Sequence, residues 1–405
     1  MNKQTTKYKQ AEIGEIPEDW VSMPFGEVAY LSKEIFDPKK AGQNKGTVYL
    51  GLEHFCEGGF ALNGVGQSDE IQSNKFRFVS GDVLFGKLRP YFKKVYSPKF
   101  DGVCSTDIWV LRAKQGVGQK FLYFLVGSDT FLNKAVESSE GTKMPRASWD
   151  FIANYKFPIP SIGEQQQITN FLSSLDDKIE LNRKMNKTLE EIGKALFKRW
   201  FVDFEFSNDD GKPYKSGGGE MVDSELRKIP EGWEVGEIGS VVNIVYGKGL
   251  LTNKLKDNGY PVFGGNGIIG FFDKYLYEEP QVIVGCRGAG SGNIKQTLPK
   301  SYVTNNSLVL EIPCDSKIDR FYLGQHLSLT GVDEYITGSA QPQITVDSLK
   351  KYLLLIPSTS ILKIFNGQMK IIDLIVSNNE REIESLSQIR DSLLPRLMSG
   401  KLRVN

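Results

Sequence analysis

The residues able to do chemistry in this chain are binding residues. Lys87, Arg89, Lys93 and Lys94 surround Tyr91 and Phe92, and cations interleaved with aromatics suit phosphate contact together with base-edge reading. An ordinary solvated turn over a packed ring would read the same way. Lys143 and Arg146 flank Met144-Pro145, and the corresponding residues of a second, related stretch are Ala340 and Gln343, beside Gln341. Arginine pairs well with guanine and glutamine with adenine, so matching loops with different side chains suit two modules with different targets. Lys248, Lys254, Asn266 and Arg287 lie on glycine-rich turns, where backbone can approach a partner closely.

Catalytic signatures are missing from the sequence. There is no G-x-x-x-x-G-K-[ST] phosphate loop, no nucleophile elbow and no Asn/Asp-Pro-Pro-Tyr/Phe tetrapeptide of adenine methyltransferases. Arg287-Gly-Ala-Gly-Ser-Gly292 is flanked by strand-like rather than strand-then-helix sequence, so it reads as a tight turn. His54 and His326 give no convincing triad, and Asp176-Asp177 reads as solvated charge on a helix face. The cysteines Cys56, Cys104, Cys286 and Cys314 have no C-x-x-C spacing, so no metal site is expected and buried reduced thiols are.

These residues must be positioned by a framework that occurs twice. Ile168, Leu172, Leu175, Ile179, Leu189 and Leu196 recur at heptad spacing within 164–206, which predicts one long helix interrupted weakly at Gly193. A shift of 197 positions lays this stretch on 368–403, matching Leu172 to Met369, Asp176 to Asp373, Asn182 to Asn379 and Leu196 to Leu393. Asn182 and Asn379 are the shared polar interruption of the two seams, a position that fixes register when buried. The repeat continues upstream, with Ile16-Pro-Glu-Asp-Trp20 recurring as Ile229-Pro-Glu-Gly-Trp233 and Phe157-Pro-Ile-Pro160 as Leu354-Leu-Ile-Pro357. Asp82-Val-Leu-Phe-Gly86 corresponds to Gln281-Val-Ile-Val-Gly285, and Gly141-Thr-Lys-Met-Pro145 to Gly338-Ser-Ala-Gln-Pro342. Residues 31–80 and 244–280 differ strongly, as surfaces with separate tasks would.

Short β-branched or aromatic runs such as Thr47-Val-Tyr-Leu and Val282-Ile-Val predict β-rich α+β modules, with helices at 120–127 and 319–330. The parts are a first module over 1–160, a spacer helix over 161–206, a glycine-rich flexible linker over 207–228, a second module over 229–357 and a second spacer helix over 358–405. With 40 % apolar residues the chain can build real cores, and a net charge of +1 gives no global basic field. No apolar run is long enough to span a membrane and the polar N-terminus is no signal peptide, which predicts a cytoplasmic protein.

The chain resembles the specificity subunits of type I restriction-modification systems along nearly its whole length. The carriers are the paired Ile-Pro-Glu-x-Trp motifs and Phe157-Pro-Ile-Pro-Ser161 followed by Gly163-Glu164-Gln165. Ala195-Leu-Phe-Lys-Arg-Trp-Phe-Val-Asp-Phe204, Tyr260-Pro-Val-Phe-Gly-Gly-Asn-Gly-Ile-Ile-Gly270 and the terminal Leu393-Leu-Pro-Arg-Leu-Met-Ser-Gly-Lys-Leu402 complete them. The resemblance implies two target-recognition domains, each reading half of a split double-stranded DNA site, and two helices packed as an antiparallel coiled-coil spacer with pseudo-two-fold symmetry. It implies a non-catalytic prokaryotic subunit that docks two modification subunits and the restriction subunits. S-adenosylmethionine, ATP and Mg would then be bound by those partners and none by this chain. One departure is that Glu164-Gln165 becomes Ile361-Leu362 in the second half. The recognition portion of a nuclease-methyltransferase and a coiled-coil scaffold without a DNA role are the competing readings.

Overall fold

The computed structural model describes residues 7–40, 46–67, 71–141, 143–208, 210–338 and 341–404. They fall into two compact units, Met1–Arg183 with Glu380–Asn405, and Lys184–Asn379. Both are mixed α and β.

In the first unit, Val95–Tyr96, Val83–Gly86, Ile108–Ala113 and Ala29–Ser32 form an antiparallel four-stranded sheet in that order. Its inner strands are continuous apolar runs because both faces are covered: Val83, Leu84 and Phe85 are fully buried. One face packs on Gln119–Val126 and Asp129–Glu137. The other packs on a five-stranded sheet of Ile35–Phe36, Lys75–Phe78, Gly102–Cys104, Val48–Leu50 and Gly66–Gln67. The second unit repeats the four-stranded sheet as Asn243–Tyr246, Ser307–Glu311, Val282–Gly285 and Ile294–Gln296. It replaces the five-stranded sheet with three strands, Gly267–Phe272, Tyr260–Gly264 and Tyr302–Val303. Residues 31–80, expected to diverge, supply four of the five strands of the one second sheet, and 244–280 two of the three strands of the other. Arg320–Thr330 is helical, with the Asp319 carboxylate accepting from Phe321 N and Tyr322 N at its start.

The first long helix runs over Ile162–Phe197 and ends in a π-helical turn, Lys198–Val202; the second runs over Thr359–Met398. Each contributes to both units. In the first unit Asp176 pairs with Arg390 and Asn182 with Glu382. In the second, Asn379 donates to Asn186 and Phe201 packs on Phe365. Within each unit the partner numbers fall as residue numbers rise, so the two helical segments run antiparallel.

The buried face follows Ile168, Leu172 and Ile179 as expected and then turns to Asn182, Asn186, Gly193 and Phe197. Leu189 and Leu196 flank it instead of lying on it. Gly193 is no weak point: a Cβ there would stand 3.1 Å from the Met369 methyl, so glycine admits the Met369 side chain. Asp176 is also not solvated. Its side chain is 21 % exposed, against 62 % for Asp177.

The glycine-rich 207–228 stretch differs from the flexible linker expected. Phe206 stacks between Tyr214 and Trp233, and Met221–Val222 pairs with Ile229–Pro230. Aromatic stacking holds what composition left loose. Cys104 and Cys286 are buried, whereas Cys56 is half-buried and Cys314 exposed. Among the described residues no helix is long and apolar enough to cross a membrane, and no group of three or more His, Cys, Asp or Glu could hold a metal.

Candidate nucleic-acid interface

Each unit carries a pair of loops built on the same backbone frame. In the first, Lys87 N donates to Asp107 O (2.9 Å), Ala147 N to Lys87 O (2.9 Å) and Arg89 N to Pro145 O (2.8 Å). In the second, Cys286 N donates to Asn306 O (2.9 Å), Ile344 N to Cys286 O (3.1 Å) and Gly288 N to Pro342 O (3.0 Å). The second loop of each pair closes in the same way. Glu140 and Arg146 exchange both backbone hydrogen bonds, as do Thr337 and Gln343. Gly141 (φ 96°) and Gly338 (φ 85°) open these turns in a conformation that glycine adopts freely.

On this common frame the side chains differ. Arg146 donates through Nε to Asp107 Oδ1 at 2.9 Å, and this pair, hydrogen bond first, raises the guanidinium pKa. At the aligned positions the second unit has Gln343 and Asn306. An Arg–Asp pair has become a Gln–Asn pair. Asp107 was not singled out by sequence reasoning, although its exchange for asparagine alongside Arg146 and Gln343 was a usable signal. Arg89, Lys143 and Arg146 are exposed and Lys87 is half-exposed. A cleft of about 480 Å³ opens beside them, lined by Lys33, Lys87, Trp109, Glu140, Arg146 and Trp149.

Lys93 and Lys94 stand apart from this group. The Lys93 ammonium reaches Asp129 Oδ1 at 3.2 Å and its side chain is 18 % exposed; Lys94 Nζ donates to Leu52 O at 2.9 Å. Both stitch the loop to its own unit.

In the second unit Arg287 and Gln343 lie side by side as a β-bridge, with Gln341 exposed on the same turn. Asn266 Oδ1 accepts from Asn293 Nδ2 at 2.6 Å, which places its turn against the Arg287–Gly292 loop. Lys248 N donates to Val303 O, and Lys254 lines a recess of about 360 Å³ with Gly249 and Asn305. The loops of Lys248, Asn266 and Arg287 therefore meet around residues 303–306, and Gln341 and Gln343 join them through the Arg287–Gly288 backbone. The Gly-Ala-Gly-Ser-Gly run is a tight turn against Pro342, as expected: Ser291 Oγ donates to Pro342 O at 2.6 Å.

The two register asparagines are both buried. Asn182 Nδ2 donates to Glu382 Oε2 (2.7 Å) and Asn379 Nδ2 to Asn186 Oδ1 (2.7 Å), each inside its own unit. Glu164 and Gln165 anchor the start of the first long helix. Glu164 accepts from Trp20 Nε1 and pairs with Arg403, while Gln165 bonds Gly116 O, Gly118 N and Pro160 O. Ile361 and Leu362 pack on the second core at the matching place. The sequence departure is thus an exchange of a polar anchor for an apolar one.

A β-rich unit that presents cations and amides on paired loops occurs twice. The chain matches the type I restriction modification DNA specificity domain over residues 17–191 and 230–393. It belongs to that family. It is 26 % identical over 312 residues to the type I restriction enzyme MjaIX specificity subunit of Methanocaldococcus jannaschii, covering 72 % of this chain and 71 % of that one. It is 25 % identical to the HindI specificity subunit of Haemophilus influenzae, covering 95 % of this chain and 100 % of that one. The crystal structure of a type I restriction-modification S subunit from M. genitalium has the same fold, with a TM-score of 0.56 at 16 % identity over 97 % of this chain and 99 % of that one.

Proposed function

We propose that this chain is the DNA-specificity subunit of a type I restriction-modification complex, each unit reading one half of a bipartite site. The observation that carries the reading is the duplicated loop pair, one backbone frame bearing Arg146–Asp107 in one copy and Gln343–Asn306 in the other. Identical function would leave such positions alike; two different half-sites call for two different readers. In the first unit Lys87, Arg89, Lys143 and Arg146 supply phosphate and base-edge contacts. In the second Lys248, Lys254, Asn266, Arg287, Gln341 and Gln343 do so.

The long helices act as a coiled-coil spacer whose register rests on Asn182 and Asn379. Their exposed apolar side chains, Leu181, Met185 and Ile192 on the first and Ile371 and Leu374 on the second, suit docking of two modification subunits. Restriction subunits complete the complex in the cytoplasm. S-adenosylmethionine, ATP and Mg belong to those partners, which perform adenine methylation and cleavage. The test is methylome sequencing of cells with and without the gene. Loss of one split adenine-methylated motif is expected; an unchanged methylome, or methyl transfer by the purified chain alone, would refute the reading.

A further inference from the structure

Two side chains of the first loop pair have no task in that function. Tyr91 is 52 % exposed and Met144 48 %. One exposed apolar residue on a surface is ordinary. Two on adjoining loop tips, within a rim formed by Lys87, Arg89, Lys143 and Arg146, are not.

The backbone beneath Tyr91 is held in an uphill conformation. Pro90–Phe92 is a 3-10 turn flanked by Arg89 at φ 50° and Lys93 at φ 49°, two non-glycine residues in the left-handed region. Such a conformation persists only where its surroundings fix it, and it concentrates at functional sites. Here Arg89 N is tied to Pro145 O, Phe92 O accepts from Gly58 N, and Pro90 is buried. These ties grip the turn on both sides of Tyr91 and leave its side chain outside. Its ring leans on Phe92 (centroids 4.7 Å apart), which lies below the Lys94 ammonium at 5.5 Å. The result is a supported aromatic ring amid phosphate-seeking cations.

That combination matches a base step of duplex DNA. Apolar and aromatic wedges enter between bases once neighbouring cations hold the backbone, and any base offers a face on which to stack. At the aligned positions the second unit has Gly290 and Gln341, and its exposed Leu251 and Ile268 lie on other segments.

We propose that Tyr91, backed by Met144, is a wedge that inserts at one base step of the first half-site and unstacks it. The proposal rests on the DNA-reading function of the first unit.

The test uses the full chain assembled with its modification subunits and duplexes carrying 2-aminopurine at successive positions of both half-sites. Apart from the adenines that the modification subunits take out of the stack, fluorescence should rise several-fold at one step of the first half-site. Tyr91→Ala should abolish that rise and weaken binding about 5- to 30-fold, and Tyr91→Phe should retain both. Tight, sequence-selective binding with no rise at any other step of the first half-site, or such a rise that survives Tyr91→Ala, overturns the wedge and leaves the DNA reading standing. Absence of any sequence-selective binding by the wild-type complex overturns both.

Discussion

Replacing Arg390 by Met should destabilise the first unit by about 4 kcal/mol. Its guanidinium is 7 % exposed and donates to Asp176 Oδ1 at 2.9 Å, with Asp391 as a second partner. It also covers the Phe60 ring at 4.5 Å. Burial raises the Asp176 carboxyl pKa and Arg390 opposes that rise; Asp176 Oδ2 has no hydrogen bond. Removing the guanidinium therefore strands a carboxylate in an apolar setting. Loss of one partner from a buried pair costs about 3–5 kcal/mol, and the residual exposure of Asp176 puts this case at the lower end. The lost cation–π contact adds about 1 kcal/mol. An Arg390→Met/Asp176→Leu double variant removes both charges and should recover most of the loss, because apolar replacement of a whole buried pair is close to neutral. The assay is hydrogen exchange of the slowest amides in Ile108–Ala113 and Gln119–Val126 for both single variants and the double, closed as a double-mutant cycle. A single variant within about 1 kcal/mol of wild type, or a double no more stable than Arg390→Met, would refute the reasoning.

Inserting one heptad into each long helix, beside Asn182 and Asn379, adds about 10 Å of helix per insertion. At about 3.4 Å per base pair, and with only part of a tilted rod projected onto the duplex, the unspecified spacer should lengthen by roughly one to three base pairs; unchanged spacing in the methylome would remove the helices as the ruler. Arg146→Ala should cost about 1–3 kcal/mol of DNA binding and relax one base of the first half-site if Arg146 reads a base edge; a uniform loss with a flatter salt dependence would make it a phosphate contact, and wild-type behaviour would exclude it. His326 packs among Phe197, Tyr322 and Tyr352, and burial, helped by Arg227, lowers its pKa to about 4. The unfolded chain therefore binds the extra proton first, so the second unit should lose stability as pH falls from about 6.5 towards 4, by at most about 1.4 kcal/mol per pH unit; an equally steep loss in His326→Gln would show another group responsible.

The long helices were legible because a heptad pattern sustained over many turns has few structural solutions. Their inner face was only half legible. Asn186 and Gly193 are not apolar, yet they turn inward because Asn379 and the Met369 side chain need partners there. The loop pairs were legible through the repeat, which placed Arg146 and Gln343 in register. Asp107 was not, because its pairing with Arg146 spans 39 residues of sequence and depends on sheet topology. Lys93 looked like a binding residue by type, but side-chain direction is set by a left-handed backbone that no composition reveals. The fold of 207–228 was hidden for the opposite reason. Its glycines suggested freedom while three aromatic rings, Phe206, Tyr214 and Trp233, supplied the order.

The central claim is that two units on one chain read two half-sites independently, and exchange of a single unit tests it most directly. Residues 229–357 are replaced by the second module of another family member, and the methylome of cells carrying the chimaera is sequenced. The account predicts a bipartite motif whose first half is unchanged and whose second half is new. A motif altered in both halves, or in neither, would contradict it.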